Sequence, residues 1–204
     1  MVIAPHDITG VILCGGEGRR MGTGEKPLRL LHGQPLVEHV RSRLSAQVGA
    51  VFISANRDVE RYESTGGTVI RDVEPGLGPL GGLASASTQV ATPWIFCCPG
   101  DAPLLEESLV SRLASNVTDE LDGAYPYDGE QEQHLFLLVR TAACTTIAPY
   151  LARGERSVRG WLAQRRLCMV ALPELAGHFV NVNSPSDLVR LIGHSPLDQQ
   201  KGQI

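Results

Sequence analysis

The stretch Ile8–Lys26, ITGVILCGGEGRRMGTGEK, decides the fold. Its first six residues are apolar or small and do not alternate, as in a strand covered on both faces. The chain then enters Cys14–Lys26, which holds five glycines, two arginines and one lysine. Glycine lets the backbone bend and approach a ligand closely, because no Cβ intervenes. The N–H groups of such a loop form an anion-binding concavity, and Arg19, Arg20 and Lys26 add positive charge. A buried strand ending in a basic glycine loop predicts an α/β sheet with a phosphate site at a strand's carboxyl end.

The same pattern repeats outward from this stretch. AVFIS (50–54), TVI (68–70) and WIFCC (94–98) read as further buried strands. Helical periodicity falls on 35–47, where Leu36, Val37, Val40 and Leu44 share a face, and shorter helices are expected over 58–64, 82–89 and 106–114. Strand–helix alternation of this kind implies a parallel sheet with right-handed crossovers. The second half is less regular: LFLLV (135–139), CMVAL (168–172) and FVNVN (179–183) read as strands. Helices are expected over 141–151 and 157–164 and from Ser184 to Ile192. The expected fold is α/β, a three-layer α/β/α arrangement with a mostly parallel central sheet. Residues 1–193 read as a single domain and 194–204 as a polar tail.

Polar residues gather at the expected strand ends: the loop after Leu13, then Ser54, Ala55 and Asn56, then Asp72, then Asp101. Four strand ends feeding one rim is a stronger signal than any one of these residues.

Composition excludes several function classes. The 204 residues are 43% hydrophobic and 20% charged, ordinary for one globular domain. The formal net charge is −4, so there is no global basic field for nucleic acid, and an anion site must be local. No run approaches the roughly 18 apolar residues of a membrane span, and the N-terminus lacks a signal-peptide pattern. Five cysteines, an odd number without a C-x-x-C pair, argue against a disulfide framework or zinc cluster and for a reducing cytoplasm. Cys97 and Cys98, adjacent on a strand, are expected on opposite faces.

The glycine loop is not a Walker loop, since Lys26 is followed by Pro27. It is not the dinucleotide fingerprint either, because Met21 stands where the third glycine belongs. It does fit L-x-G-G-x-x-x-R-M-G-x-x-x-K, from Leu13, Cys14, Gly15 and Gly16 through Arg20, Met21 and Gly22 to Lys26. This resembles the signature loop of nucleotidyltransferases built on a Rossmann-like core, and most closely the molybdenum cofactor guanylyltransferases of the MobA type. The resemblance runs from Ile8 to about Leu191. It includes Gly78–Gly82 (GPLGG), Cys98–Pro103 (CPGDAP) and Asn181–Pro185 (NVNSP).

The resemblance implies transfer of GMP from GTP to the terminal phosphate of molybdopterin, with pyrophosphate released. It implies Mg²⁺ as cofactor, with Asp101 as metal ligand and nucleotide contact. Leu13, Cys14, Gly15, Gly16, Lys26, Ser54 and Asp72 would complete the nucleotide site. Lys26 would neutralise phosphates, and Arg20 would do the same or orient the pterin phosphate. Asn181 and Asn183, two apart on an expected strand and so on one face, would lie on the pterin side. Gly15-Gly16 and Gly81-Gly82 would widen the base slot. Guanine follows from the resemblance; the residues alone do not choose it over adenine. The alternative is a cytidylyl- or uridylyltransferase acting on another phosphate acceptor. Other molybdenum cofactor biosynthesis proteins and acceptor molybdoenzymes are the implied protein partners, with neither nucleic acid nor membrane among them. His134, after a polar loop, is a further substrate candidate or a plain surface histidine.

Overall fold

The computed structural model describes residues 2–15 and 25–193. Among the described residues there are nine strands: β1 (Ile8–Leu13), β2 (Leu30–Leu31), β3 (Gln34–Pro35), β4 (Ala50–Ser54), β5 (Thr68–Ile70), β6 (Trp94–Pro99), β7 (Gly123–Tyr127), β8 (Leu137–Arg140) and β9 (Leu167–Ala171). The α-helices among the described residues are α1 (Leu36–Ser45), α2 (Val59–Glu63), α3 (Gly78–Ser87), α4 (Leu109–Ala114), α5 (Ile147–Ala152), α6 (Val158–Leu162) and α7 (Pro185–Gly193). Seven strands make one sheet in the order β5-β4-β1-β6-β8-β7-β9, while β2 and β3 form a separate two-stranded ribbon. Within the large sheet only β8 runs antiparallel to its neighbours. The expected mostly parallel α/β/α fold is therefore the observed one.

The sheet separates two apolar layers, and the strands feed both. On one face Ile8, Ile12, Ile53 and Phe96 meet Val37, Val40 and Leu44 of α1 and Leu109, Val110 and Leu113 of α4. On the other, Val11, Ile70, Ile95 and Val139 meet Leu80, Leu83 and Ala86 of α3, with Ile147, Tyr150 and Trp161 beyond. Cys97 packs on one side and Cys98 on the other, as alternation along β6 requires. The chain leaves β1 towards β4 and β5, then returns through α3 to β6 on the opposite side of β1. The β1/β6 boundary is thus the point where strand order reverses, which is where α/β sheets bind ligands.

Several expected elements differ. FVNVN is not a strand: Phe179–Asn183 has no ladder partner among the described residues. Phe179 and Val182 are buried for separate reasons, and Val180 is exposed. Phe179 stacks edge-on against Phe136, and Val182 joins Leu31 and Leu36 in a small cluster that also receives Leu188 and Leu191 of α7. The Val182 N–H donates to the Asp101 carbonyl at 2.8 Å instead of to a strand. Conversely β7 (GAYPY) is a strand where the sequence suggested no element, despite its glycine and proline. It survives because β8 pairs only with Gly123 and Ala124, so Pro126 removes no N–H from that ladder. Helix α3 begins at Gly78, a turn before the expected start, and 141–151 splits into a 3₁₀ turn (Thr141–Thr146) followed by α5. The tail 194–204 lies outside the described residues.

Candidate active site

The loop after β1, the end of β4, the residue pair after β5 and the turn after β6 are joined by hydrogen bonds. The Cys14 N–H donates to the Ser54 carbonyl (2.8 Å), and the Gly100 N–H donates to the Leu13 carbonyl (3.0 Å). These bonds continue the β1–β4 and β1–β6 ladders past their last residues and hold both neighbouring loops on the β1 turn. Gly100 is required here, because a Cβ would collide with the Cys14 sulfur and lie 3.2 Å from Pro27 Cβ. Cys14 is itself a small buried apolar group; burial pushes its thiol well above the ordinary range.

On the β4–β5 side, Asp72 is bonded at several atoms. Ser54 Oγ donates to Oδ1 at 3.2 Å and Asn56 Nδ2 to Oδ2 at 2.8 Å, while the Asp72 N–H donates to Asn56 Oδ1 at 2.8 Å. The next residue is tied to α3 through the Val73 N–H and Ser85 Oγ (2.9 Å). Gly82 packs α3 against this group: a Cβ there would lie 2.5 Å from Ser54 Oγ and 3.2 Å from Leu13 Cδ2. A Cβ on Gly81 would lie 2.8 Å from Leu77 Cβ and 3.6 Å from Asp72 Oδ2. Gly82 thus has a packing role, close helix–strand contact, that the sequence did not indicate.

On the β6 side, Asp101 follows Gly100 and is half-buried. Desolvation raises its carboxyl above the usual range, and the nearby Lys26 ammonium opposes the rise. Lys26 opens a 3₁₀ turn (Lys26–Leu28) and donates from Nζ to Asn183 Oδ1 at 2.8 Å. Asn181 is partly buried, and its Oδ1 is a buried acceptor with no protein partner. Its neighbour Val182 is the residue bonded to the Asp101 backbone. Asn181 and Asn183 therefore do reach the site, but from an irregular segment, with Asn183 exposed and turned to Lys26.

Leu13, Cys14, Gly15, Lys26, Ser54, Asp72, Asp101, Asn181 and Asn183 all belong to this strand-end region. Gly16, Arg19 and Arg20 lie outside the described residues. His134 is held by Glu132 (2.7 Å) and lies beside Tyr125. Asn56 is the residue whose part the sequence did not reveal; its contact partner is sixteen positions away. Among the described residues no group of three or more His, Cys, Asp or Glu side chains could hold a metal.

A family model described as a MobA-like NTP transferase domain matches residues 10–168. A protein of Cupriavidus necator named molybdenum cofactor guanylyltransferase is 41% identical over 194 residues, covering 92% of this chain and 97% of its own. One of the same name from Shewanella sp. strain MR-4 is 37% identical over 186 residues, covering 90% and 94%. In fold, the chain is similar to the crystal structure of molybdopterin-guanine dinucleotide biosynthesis protein A from Archaeoglobus fulgidus, with a TM-score of 0.74 at 21% identity over 91% of this chain and 97% of that one.

Proposed function

The chain belongs to the MobA-like NTP transferase family, and from that membership we infer that it transfers GMP from GTP to the terminal phosphate of molybdopterin, forming molybdopterin guanine dinucleotide and releasing pyrophosphate. The names of its relatives favour guanylyl transfer and lend nothing to a cytidylyl or uridylyl alternative. The observation that carries the assignment to this site is the meeting of Lys26, Asp101 and Asn183 with the end of β1, where strand order reverses.

The acceptor is a phosphate monoester, whose second pKa is near ~6, so it is largely dianionic at neutral pH. It needs no general base. The protein's task is to align two mutually repelling anions and to offset charge at the α-phosphate. Leu13, Cys14, Gly15, Ser54 and Asp72 hold the nucleoside end, and Gly16 joins them by its place in the motif. Lys26 offsets phosphate charge as a compact cation, and Arg20 adds to it or orients the acceptor phosphate. Asn181 and Asn183 face the acceptor side.

The donor set suits Mg²⁺, which takes oxygen ligands and relies on one or two carboxylates plus substrate phosphates. Asp101 supplies the carboxylate, and the unpartnered Asn181 Oδ1 is a second hard oxygen acceptor in the adjoining segment. The ion supplies charge neutralisation on the phosphates when bound. Residues 1–193 act as one nucleotidyltransferase domain. Asp101→Asn tests the site: turnover is lost while GTP still binds measurably by calorimetry. Unchanged turnover removes Asp101 from the mechanism.

A further inference from the structure

We propose that Asn56 is a positioning residue: it fixes the Asp72 carboxylate as the reader of a nucleobase edge that carries two adjacent N–H donors. This rests on the guanylyl-transfer reading and gives base choice a physical ground that the glycine motif does not.

The Asn56 amide spans Asp72 from both ends. Its Oδ1 accepts the Asp72 backbone N–H, and its Nδ2 donates to carboxylate Oδ2, both at 2.8 Å. The backbone N–H can only donate, so the amide orientation is dictated by chemistry. Ser54 Oγ donates to the other oxygen, Oδ1. Each carboxylate oxygen thus has one fixed donor, and an ionised carboxylate has about four acceptor sites in all. One acceptor site on each oxygen remains for a ligand. The two side-chain donors hold the carboxylate in this orientation, and the bond from the Asp72 N–H to the same amide holds the backbone beside it.

The space beside it is bounded by residues without side chains. A Cβ on Gly81 would be 3.6 Å from Asp72 Oδ2, and one on Gly15 would be 3.9 Å from Asn56 Nδ2. A fixed anion repels phosphate, which belongs with Lys26. It attracts N–H donors and rejects acceptor lone pairs. Guanine offers N1–H and N2–H side by side. Adenine and cytosine each present a ring-nitrogen acceptor at the corresponding edge, which would face an anion unpaired. Leaving such polar groups unmatched is how sites reject near-isosteres strongly.

The test compares GTP, ITP (which lacks the 2-amino group) and 2′-deoxy-GTP with the full-length protein, molybdopterin and Mg²⁺. Wild type is expected to favour GTP over ITP by about tenfold or more in kcat/KM, the scale of a hydrogen bond to a charged group. In Asn56→Ala the loss falls on KM for GTP, which rises about tenfold, and the GTP-to-ITP ratio falls to within about threefold of unity. Asn56→Asp keeps the acceptor for the Asp72 N–H but removes the donor, so it loses the same discrimination and guards against a folding defect, as checked by circular dichroism. On an Asp72→Ala background, Asn56→Ala adds less than about twofold, because residues acting through one partner are not additive. A folded Asn56→Ala or Asn56→Asp protein with an unchanged ratio overturns the inference alone. So does discrimination that falls on 2′-deoxy-GTP instead of ITP, which would make Asp72 a ribose reader. Wild type that does not use GTP overturns the function itself, and this inference with it.

Discussion

Asp101 meets two opposed demands. In its proposed role as a metal ligand it must be ionised, yet burial raises its carboxyl above the usual range and Lys26 only partly offsets this. An acid whose folded pKa is raised contributes stability that is present at low pH and lost as pH rises through the raised value. The neutral isostere should therefore stabilise: Asp101→Asn is expected to melt at a higher temperature than wild type in metal-free buffer at neutral pH, although it turns over no GTP. A lower melting temperature would contradict the burial cost. Lys26→Ala removes the proposed phosphate cation, the partner of Asn183 and the charge that opposes the Asp101 shift. Steady-state assay should show a loss of roughly 10² or more, the usual scale of electrostatic stabilisation. At this scale Lys26, Asp72 and Asp101 were legible, because each follows an apolar run or lies in a glycine-rich turn. Asn56 was visible only as one more strand-end polar residue; its part depends on a contact across the sheet that no local pattern encodes.

Helix α3 shows what an element must give up to sit where it does. It carries Gly81 and Gly82 on its buried side, and the latter lets it rest against Ser54 and Leu13. Gly82→Ala places a methyl group 2.5 Å from Ser54 Oγ. Overpacking of this kind costs about 1–3 kcal/mol. Displacing Ser54 also frees one oxygen of Asp72, so KM for GTP should rise by about three- to tenfold, on the scale of one hydrogen bond. Urea unfolding and steady-state kinetics on the same variant check both parts. Element boundaries were least legible where one residue type served two purposes. Phe179–Asn183 has strand composition but sends Phe179 and Val182 to two different clusters and leaves Val180 exposed. Gly123 and Pro126 look like breakers but fall where β7 needs neither a side chain nor a second ladder N–H. A Cβ on Gly123 would in fact collide with the Leu138 carbonyl oxygen.

Over the whole molecule, strand order reverses between β1 and β6, with Asp101 just past the end of β6; in the proposed function β5-β4-β1 carries the nucleotide and the acceptor lies beyond β6. The parallel half was readable because buried parallel strands are continuous apolar runs. In the half containing the antiparallel strand β8, the runs at 135–139 and 168–172 and the helices were readable as well, but β7 and the irregular segment 179–183 were not, because their apolar residues are few and interrupted. The cysteines report on the integrity of this packing. Cys14, Cys97, Cys98 and Cys144 are buried and Cys168 is half-buried; burial raises the Cys97 thiol to about 12. A thiol reagent should titrate at most one cysteine, Cys168, in the native protein and all five after denaturation. Rapid modification of two or more in the native state would contradict the buried assignment.

The central claim is guanylyl transfer at the β1/β6 boundary. Its most direct test is pyrophosphate release by the purified protein, given molybdopterin and Mg²⁺, with each of GTP, ATP, CTP and UTP in turn. The account predicts release with GTP, dependent on molybdopterin and matched by formation of the guanine dinucleotide. Preference for CTP or any other nucleotide, or release that does not depend on the pterin, would contradict it.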